Sequence, residues 1–257
     1  MIHPTAVVDP AARVPESCKI GPYCVVGADV EMGEGCELIS HVVLQGPTKL
    51  GSGNRVFPFT SIGMGPQDLS YRGEPTRLEV GDRNEIREYV TIHRGTVKGG
   101  GLTTIGSNCL LMAYAHVAHD CHVGNHVIMA NAATLAGHVT VEDYAVVGAL
   151  SPVHQFVRVG AHSYIGGGTV ITQDVLPFSK TVASRDVSAY GMNSIGLRRR
   201  GFSDERIKKL HHAFKVLLAS KLNTSQALER LKSEGDQGED VAMLISWIEA
   251  SHRGVIK

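Results

Sequence analysis

The chain has 257 residues, room for one large domain and a small one, and its 25 Lys and Arg balance 25 Asp and Glu. That zero formal charge excludes the basic excess of a general nucleic-acid binder, and aromatics at 5% beside 29 Gly point to a thin, repetitive core. No apolar run approaches the roughly 18–20 residues that cross a bilayer, so no transmembrane segment is expected. The N-terminal MIHPTAVVDP lacks the basic-then-apolar order of a signal peptide, so a cytoplasmic location is expected.

From the start of the chain an aliphatic residue or Met recurs every six positions: Ile2, Val8, Val14, Ile20, Val26, Met32, Leu38 and onward to Ile62. The series resumes at Val80, Ile86 and Ile92, shifts phase, and runs unbroken from Ile105 to Ile171. Gly often follows the aliphatic, as at Gly21, Gly51, Gly106 and Gly148, and a small or β-branched residue often stands four places after it, as at Ala12, Thr60, Ala115 and Ala133. A helix would need apolar spacing near 3.6 and a two-faced strand a spacing of 2. A period of six instead fits a coil of short strands joined by tight corners, with Gly supplying unusual corner angles and each coil burying its face on the next.

Two segments break the series. Residues 64–79, MGPQDLSYRGEPTRLE, hold no hexad, and residues 93–104, HRGTVKGGGLTT, are Gly-rich. Loops extruded from a rigid solenoid are natural carriers of function. After Pro177 the pattern ends. Ser203 can cap a helix with Asp204 and Glu205 in its first turn, and Ile207, Leu210, His211, Phe214, Leu217 and Leu218 share its apolar face. A second helix is expected over Thr224–Leu231, a break at Gly235–Gly238, and a third helix over Val241–Ala250. The expected division is a β-helix over residues 1–190, with its loops at 64–79 and 93–104, and a helical unit over 191–257 that caps the open end.

Cys18, Cys24, Cys36, Cys109 and Cys121 all stand four residues after a hexad aliphatic, which makes them small core hydrophobes. Among 13 His, the group His93, His116, His119, His138 and His154 is different, since it clusters along the second run. His119 and His138 lie about one coil apart, so stacking would bring them together. Imidazole is suited to accept a proton near neutral pH, and Asp120 could orient His119 if a corner turns the two side chains toward one another. No Ser or Cys has a nucleophile setting, which favours direct transfer over a covalent intermediate.

The segments QDLSYRGEPTRLEVGDRNEIREYVTIHRGT, GGGLTTIG, AHVAHDCHVGN, NAATLAGHVTV, VHQFVRVGAHS and GLRRRGFS occur in this order. Together they closely resemble the acyl-carrier-protein–UDP-N-acetylglucosamine O-acyltransferases, a family of hexapeptide-repeat enzymes that begins lipid A synthesis. The resemblance implies a mainly β fold, a left-handed parallel β-helix with a small C-terminal helical domain. It implies that His119 removes the proton from the sugar 3-hydroxyl with support from Asp120, and that the Gly137 N–H stabilises the oxyanion. Gln67, Asp68, His93, His116, His138, His154 and Gln155 would hold the donor or the sugar nucleotide, with Asn193, Arg199 and Arg200 at the nucleotide. Gly167 matches the acyl-length ruler. The implied partners are acyl carrier protein bearing a 3-hydroxyacyl thioester, UDP-N-acetylglucosamine and two further copies of the chain in a homotrimer; no metal and no cofactor are implied. Two departures stand out: Ser70 where the family often has Lys, and Ile195 where some members carry Glu. Two other readings compete. A 3-amino UDP-sugar acceptor would give an amide, and the His cluster would suit a γ-type zinc carbonic anhydrase on the same fold.

Overall fold

A computed structural model describes residues 1–183 and 188–256. The chain winds into a parallel β-helix in which each coil gives one short strand to each of three sheets. The first face runs from Lys19–Ile20 up to Tyr164–Ile165, the second from Val7–Val8 to Pro152–Val153, and the third from Val30–Met32 to Arg158–Val159. The hexad aliphatics point inward: Leu38, Val56, Ile92, Leu111 and Leu135 are all buried, each contributing roughly 1.5–3 kcal/mol. The position four residues later is also buried at Cys24, Thr60, Val90 and Ala133. Ala6 and Ala12 are only partly buried because the first coil has a neighbour on one side. All five Cys are buried and free.

Gly does not make most of the corners. Left-handed backbone falls on larger residues, among them Tyr23, Phe59, Asp120 and His138 at φ 58°, 63°, 59° and 64°. Such a residue costs about 1–2 kcal/mol. Stacking from coil to coil offsets part of that cost: Tyr23, His41, Phe59, Tyr89 and Tyr114 form a ladder along the edge between the first and second faces, with centroids 4.9, 5.0, 5.1 and 4.8 Å apart. The Gly after the aliphatic serves close stacking instead. A Cβ on Gly21 would overlap the Ile39 carbonyl oxygen of the next coil, and one on Gly148 the Ile165 carbonyl oxygen. Gly63, at φ 80°, answers both demands.

Ordinary coils pair residues 18 apart, as Val25 with Val43. Ser61 pairs with Thr91 and Thr91 with His116, steps of 30 and 25, so 12 and then 7 residues are extruded at one edge. That edge, between the second and third faces, also carries Asp120 and His138. The extrusions are shorter than the hexad gaps suggested. Arg77–Val80 and Leu102–Ile105 are already strands of the third face, and Thr91–His93 is a strand of the second. Leu78 and Thr103 turn inward there, two residues before Val80 and Ile105, at the second inward position of the hexad; with no aliphatic four residues earlier, the pattern does not extend back to them.

Beyond the last coil, Ser179–Val182 pairs antiparallel with Ser188–Met192 and closes the first face. Four α-helices follow among the described residues: α1 (Ser194–Arg199), α2 (Asp204–Phe214), α3 (Thr224–Ser233) and α4 (Glu239–Glu249). Ser203 caps α2 as expected, accepting a bond from Arg206 N–H. His211 is exposed rather than on the apolar face; Ala213 takes the inward place, and a wider π turn over Lys215–Ala219 re-aims Val216 and Leu217 inward. α1 has no counterpart in the periodicity, being a single short turn capped by Asn193. The helices bury Leu176 and Phe178 of the last coil in a second apolar cluster with Leu197, Leu210 and Phe214. Ile256 returns to the coil core, where its N–H bonds the Asp174 carbonyl.

Candidate active site

The His119–Asp120 pair sits on the edge that carries both extrusions. Successive strand residues face opposite ways, but the left-handed φ of 59° at Asp120 turns the chain sharply. His119 Nδ1 and Asp120 Oδ2 thereby come within 2.8 Å. With Nδ1–H donating to the carboxylate, the ring presents a lone pair at Nε2, the tautomer of a proton acceptor. The Asp120 carboxylate is almost fully buried, and its charge is met by three donors: Thr96 N–H to Oδ1 at 2.7 Å, Thr96 O–H to Oδ2 at 2.6 Å, and His119. The Asp120 N–H donates to Thr103 Oγ1 at 2.8 Å.

One coil on, Gly137 lies against the His119 ring: a Cβ there would stand 2.5 Å from Cε1 and 2.9 Å from Nε2. Its N–H makes no hydrogen bond among the described residues, so it is available beside the ring. His138 meets His119 edge-on at 5.3 Å and stacks on Phe156 at 4.4 Å. His138 Nε2 lies 3.7 Å from Asp120 Oδ2, beyond hydrogen-bond range. Burial, followed by the neighbouring His119, outweighs the Asp120 charge and holds His138 below the ordinary imidazole range. His119, Asp120 and His138 are grouped closely enough to suit a metal ion. The Asp120 oxygen in that group is, however, already shared by Thr96 and His119, so the geometry is that of a hydrogen-bonded dyad.

His93 and His116 line the adjoining second face, 5.3 Å apart edge-on. Burial pushes His93 down to about 4 and also lowers His116, so both are neutral at pH 7. His116 Nδ1 is 2.7 Å from Thr91 Oγ1. The larger extrusion brings Asp68 into the electrostatic neighbourhood of His119. The Ser70 N–H at 2.7 Å is the main cause that draws the Asp68 carboxyl below its usual range, and the Ser70 side chain adds to it. Gln67 is exposed beside it. Arg94 pins this loop, donating to the Gly46 carbonyl at 2.7 Å and to Tyr71 Oη at 3.0 Å. His154 and Gln155 are exposed two coils above His119 on the same edge, and Gly167 is exposed at the far edge of the second face.

Three expected site residues lie elsewhere. Asn193 is buried, caps α1 and donates to the His162 carbonyl at 3.0 Å. Arg200 rests its guanidinium 5.3 Å from the Tyr144 ring, and Arg199 is exposed beside it. Tyr144 and His162 belong to the edge between the third and first faces, a different edge of the prism from His119. Sequence reasoning missed His162, which burial and the Arg200 charge push down to about 4. It also missed Arg94, Tyr71 and Thr96; only the Gly-rich setting of Thr96 signalled a tight loop. The Cys121 and Cys109 thiols are pushed up by burial, to about 12 and about 11, and stay protonated at neutral pH.

Residues 174–256 match the family described as "Udp N-acetylglucosamine O-acyltransferase; Domain 2", and residues 102–137 match "Bacterial transferase hexapeptide (six repeats)". The chain is 49% identical over 256 residues to the acyl-[acyl-carrier-protein]--UDP-N-acetylglucosamine O-acyltransferase of Thermodesulfovibrio yellowstonii, covering 100% of this chain and 99% of the relative. The chain belongs to the acyl-carrier-protein–UDP-N-acetylglucosamine O-acyltransferases. Solved UDP-N-acetylglucosamine acyltransferases agree with its fold. That of Francisella novicida superposes with a TM-score of 0.96 at 39% identity, covering 100% of this chain and 94% of that one. That of Acinetobacter baumannii gives 0.95 at 43%, covering 100% and 99%. The chain shares the left-handed β-helix of these O-acyltransferases, and membership in the family makes it an acyltransferase. Neither an amide-forming nor a zinc-dependent reading is favoured by relatives named in this way.

Proposed function

We propose that this acyltransferase moves an (R)-3-hydroxyacyl chain from acyl carrier protein to the 3-hydroxyl of UDP-N-acetylglucosamine, the first step of lipid A biosynthesis. The observation that carries the mechanism is the partly exposed His119 paired with the buried Asp120, with the unpaired Gly137 N–H beside them. His119 Nε2 accepts the proton of the sugar hydroxyl as its oxygen attacks the thioester carbonyl, and Gly137 N–H bonds the oxyanion. Collapse breaks the C–S bond, and the imidazolium returns the proton to the departing thiolate, leaving an ester and the free carrier thiol. Asp68, Gln67, His93, His116, His138, His154 and Gln155 hold donor and sugar along one edge and the adjoining face. Gly167 leaves the acyl slot open at the far edge.

Asn193, Arg199 and Arg200 lie on another edge, and this separation supports a homotrimer in which each site takes its nucleotide-binding groups from the adjacent copy. Leu69, 98% exposed at the tip of the Asp68 loop, fits a contact with that copy. The cytoplasm is the proposed setting, and no described helix is long and apolar enough to cross a membrane.

The test is acyl transfer by the purified protein, with 3-hydroxyacyl carrier proteins of several lengths and two acceptors, UDP-N-acetylglucosamine and its 3-amino analogue. Ester on the first acceptor, with no acyl adduct on the protein by intact mass, is expected. Product only on the amino sugar, or an acyl-enzyme, would overturn the reading.

A further inference from the structure

We infer that Thr96 is a positioning residue of the reaction, acting through Asp120 to hold the His119 ring in its working orientation. The inference rests on the role proposed for His119. Thr96 is 4% exposed and lies in the Gly-rich extrusion, 24 residues away in sequence from the carboxylate it meets. It contacts both carboxylate oxygens, its N–H donating to Oδ1 at 2.7 Å and its hydroxyl to Oδ2 at 2.6 Å. The direction of the hydroxyl is set by the loop. Its oxygen accepts from Gly99 N–H at 3.2 Å, which turns its own proton toward Asp120. Oδ2 is also the oxygen that takes the His119 Nδ1–H, so one atom is fixed from two sides.

The glycines around Thr96 show how tightly the extrusion wraps this carboxylate. A Cβ on Gly99 would overlap the Asp120 carboxylate, and one on Gly95 would stand 2.8 Å from Oδ1. The short 3-10 turn Val97–Gly99, capped by Thr96, therefore lies directly over the charge. Without the hydroxyl, Oδ2 keeps only the bond that it must supply to the imidazole. The carboxylate can then rotate about its last torsion while still bonded to Thr96 N–H through Oδ1. The Gly-rich loop thus serves the dyad besides shifting the phase of the coil.

The test compares Thr96→Val, which keeps the shape and removes the donor, with Thr96→Ser, which keeps the donor; Thr96→Ala replaces the Val variant if that protein does not fold. Kinetics are measured with both substrates, alone and in an Asp120→Ala background. Loss of a bond to a charged group predicts that Thr96→Val lowers kcat by about ten- to hundredfold. KM for both substrates stays within about twofold, and Thr96→Ser recovers kcat to within about threefold, if the geometry of the dyad alone is disturbed. In the Asp120→Ala background the Val substitution costs nothing further, because the two residues act as one unit. Wild-type kcat in Thr96→Val, or an equal loss in both backgrounds, would overturn the inference. A parallel His119→Ala variant separates the failures: if it is inactive while Thr96→Val is normal, only the Thr96 role falls, and if it is active the proposed base falls too.

Discussion

Gly137→Ala offers a sharp test of how the dyad is held. The added Cβ would lie 2.5 Å from His119 Cε1, 2.9 Å from Nε2 and 3.1 Å from Nδ1. Carbon atoms pack comfortably at about 3.5–4.0 Å, so something must move by about 1 Å. The backbone resists, since Gly137 is fixed between Ala136 N–H to the Val153 carbonyl and His138 N–H to the His119 carbonyl, and its own carbonyl takes Phe156 N–H. Its φ is not left-handed, so alanine meets no backbone strain there. The ring therefore gives way, and its 2.8 Å bond to Asp120 stretches beyond bonding range. A misplacement of about 1 Å costs on the order of a hundredfold in rate. Because alanine keeps the N–H, the loss reports ring position and not the oxyanion donor. Steady-state kcat with thermal melting is the assay. A folded Gly137→Ala enzyme with wild-type kcat would refute the idea that His119 must sit where the glycine leaves it.

Buried neutral imidazoles make stability depend on pH. His93 is lowered from 6.5 to about 4, so above pH 6.5 it is neutral folded and unfolded, and its contribution is complete. As pH falls from 6.5 toward 4 only the unfolded chain takes up the proton, and stability falls by about 3 kcal/mol, with no further loss from this group below 4. Urea unfolding of His93→Gln against the parent at pH 7 and pH 4.5 should show a smaller loss in the variant; parallel losses would contradict the assignment. Gly167→Met should fold, since a Cβ there meets the Ala149 carbonyl oxygen at a tight but tolerable 3.2 Å, and should shift the product profile to shorter acyl chains; an unchanged profile removes Gly167 as the ruler. His119→Ala and Arg200→Ala, each inactive alone, should regain about a quarter of parent activity when co-expressed, because that share of random interfaces carries both intact residues. No recovery, with mixed oligomers confirmed, would place the whole site within one chain.

The periodic part of the fold was open to reading because each coil repeats one physical demand. Leu38, Val56 and Leu111 mark the core through their spacing alone. The corners were less legible: their left-handed backbone is carried by Tyr23 and His138, which stack on rings of the next coil, and by Asp120, held by hydrogen bonds to Thr96 and Thr103, contacts that no single hexad displays. The bond from His119 to Asp120 depended on that hidden corner, so adjacency in sequence suggested the pair without fixing it. The role of Thr96 could not be read beyond its Gly-rich setting, because its link to Asp120 forms only after the loop folds back over the edge. The separation of Arg200 from His119 arises because the helical region packs Arg200 against Tyr144 on another edge of the coil, a tertiary contact that the hexad count does not contain. The family resemblance implied the roles of both residues and a site between neighbouring copies, but not which edges carry them.

The most direct measurement is the kcat of His119→Ala in transfer from 3-hydroxyacyl carrier protein to UDP-N-acetylglucosamine. The account predicts a folded protein with the parent's assembly state and a kcat lower by about two to four orders of magnitude, the contribution expected of a general base. A kcat within a few-fold of the parent would contradict it.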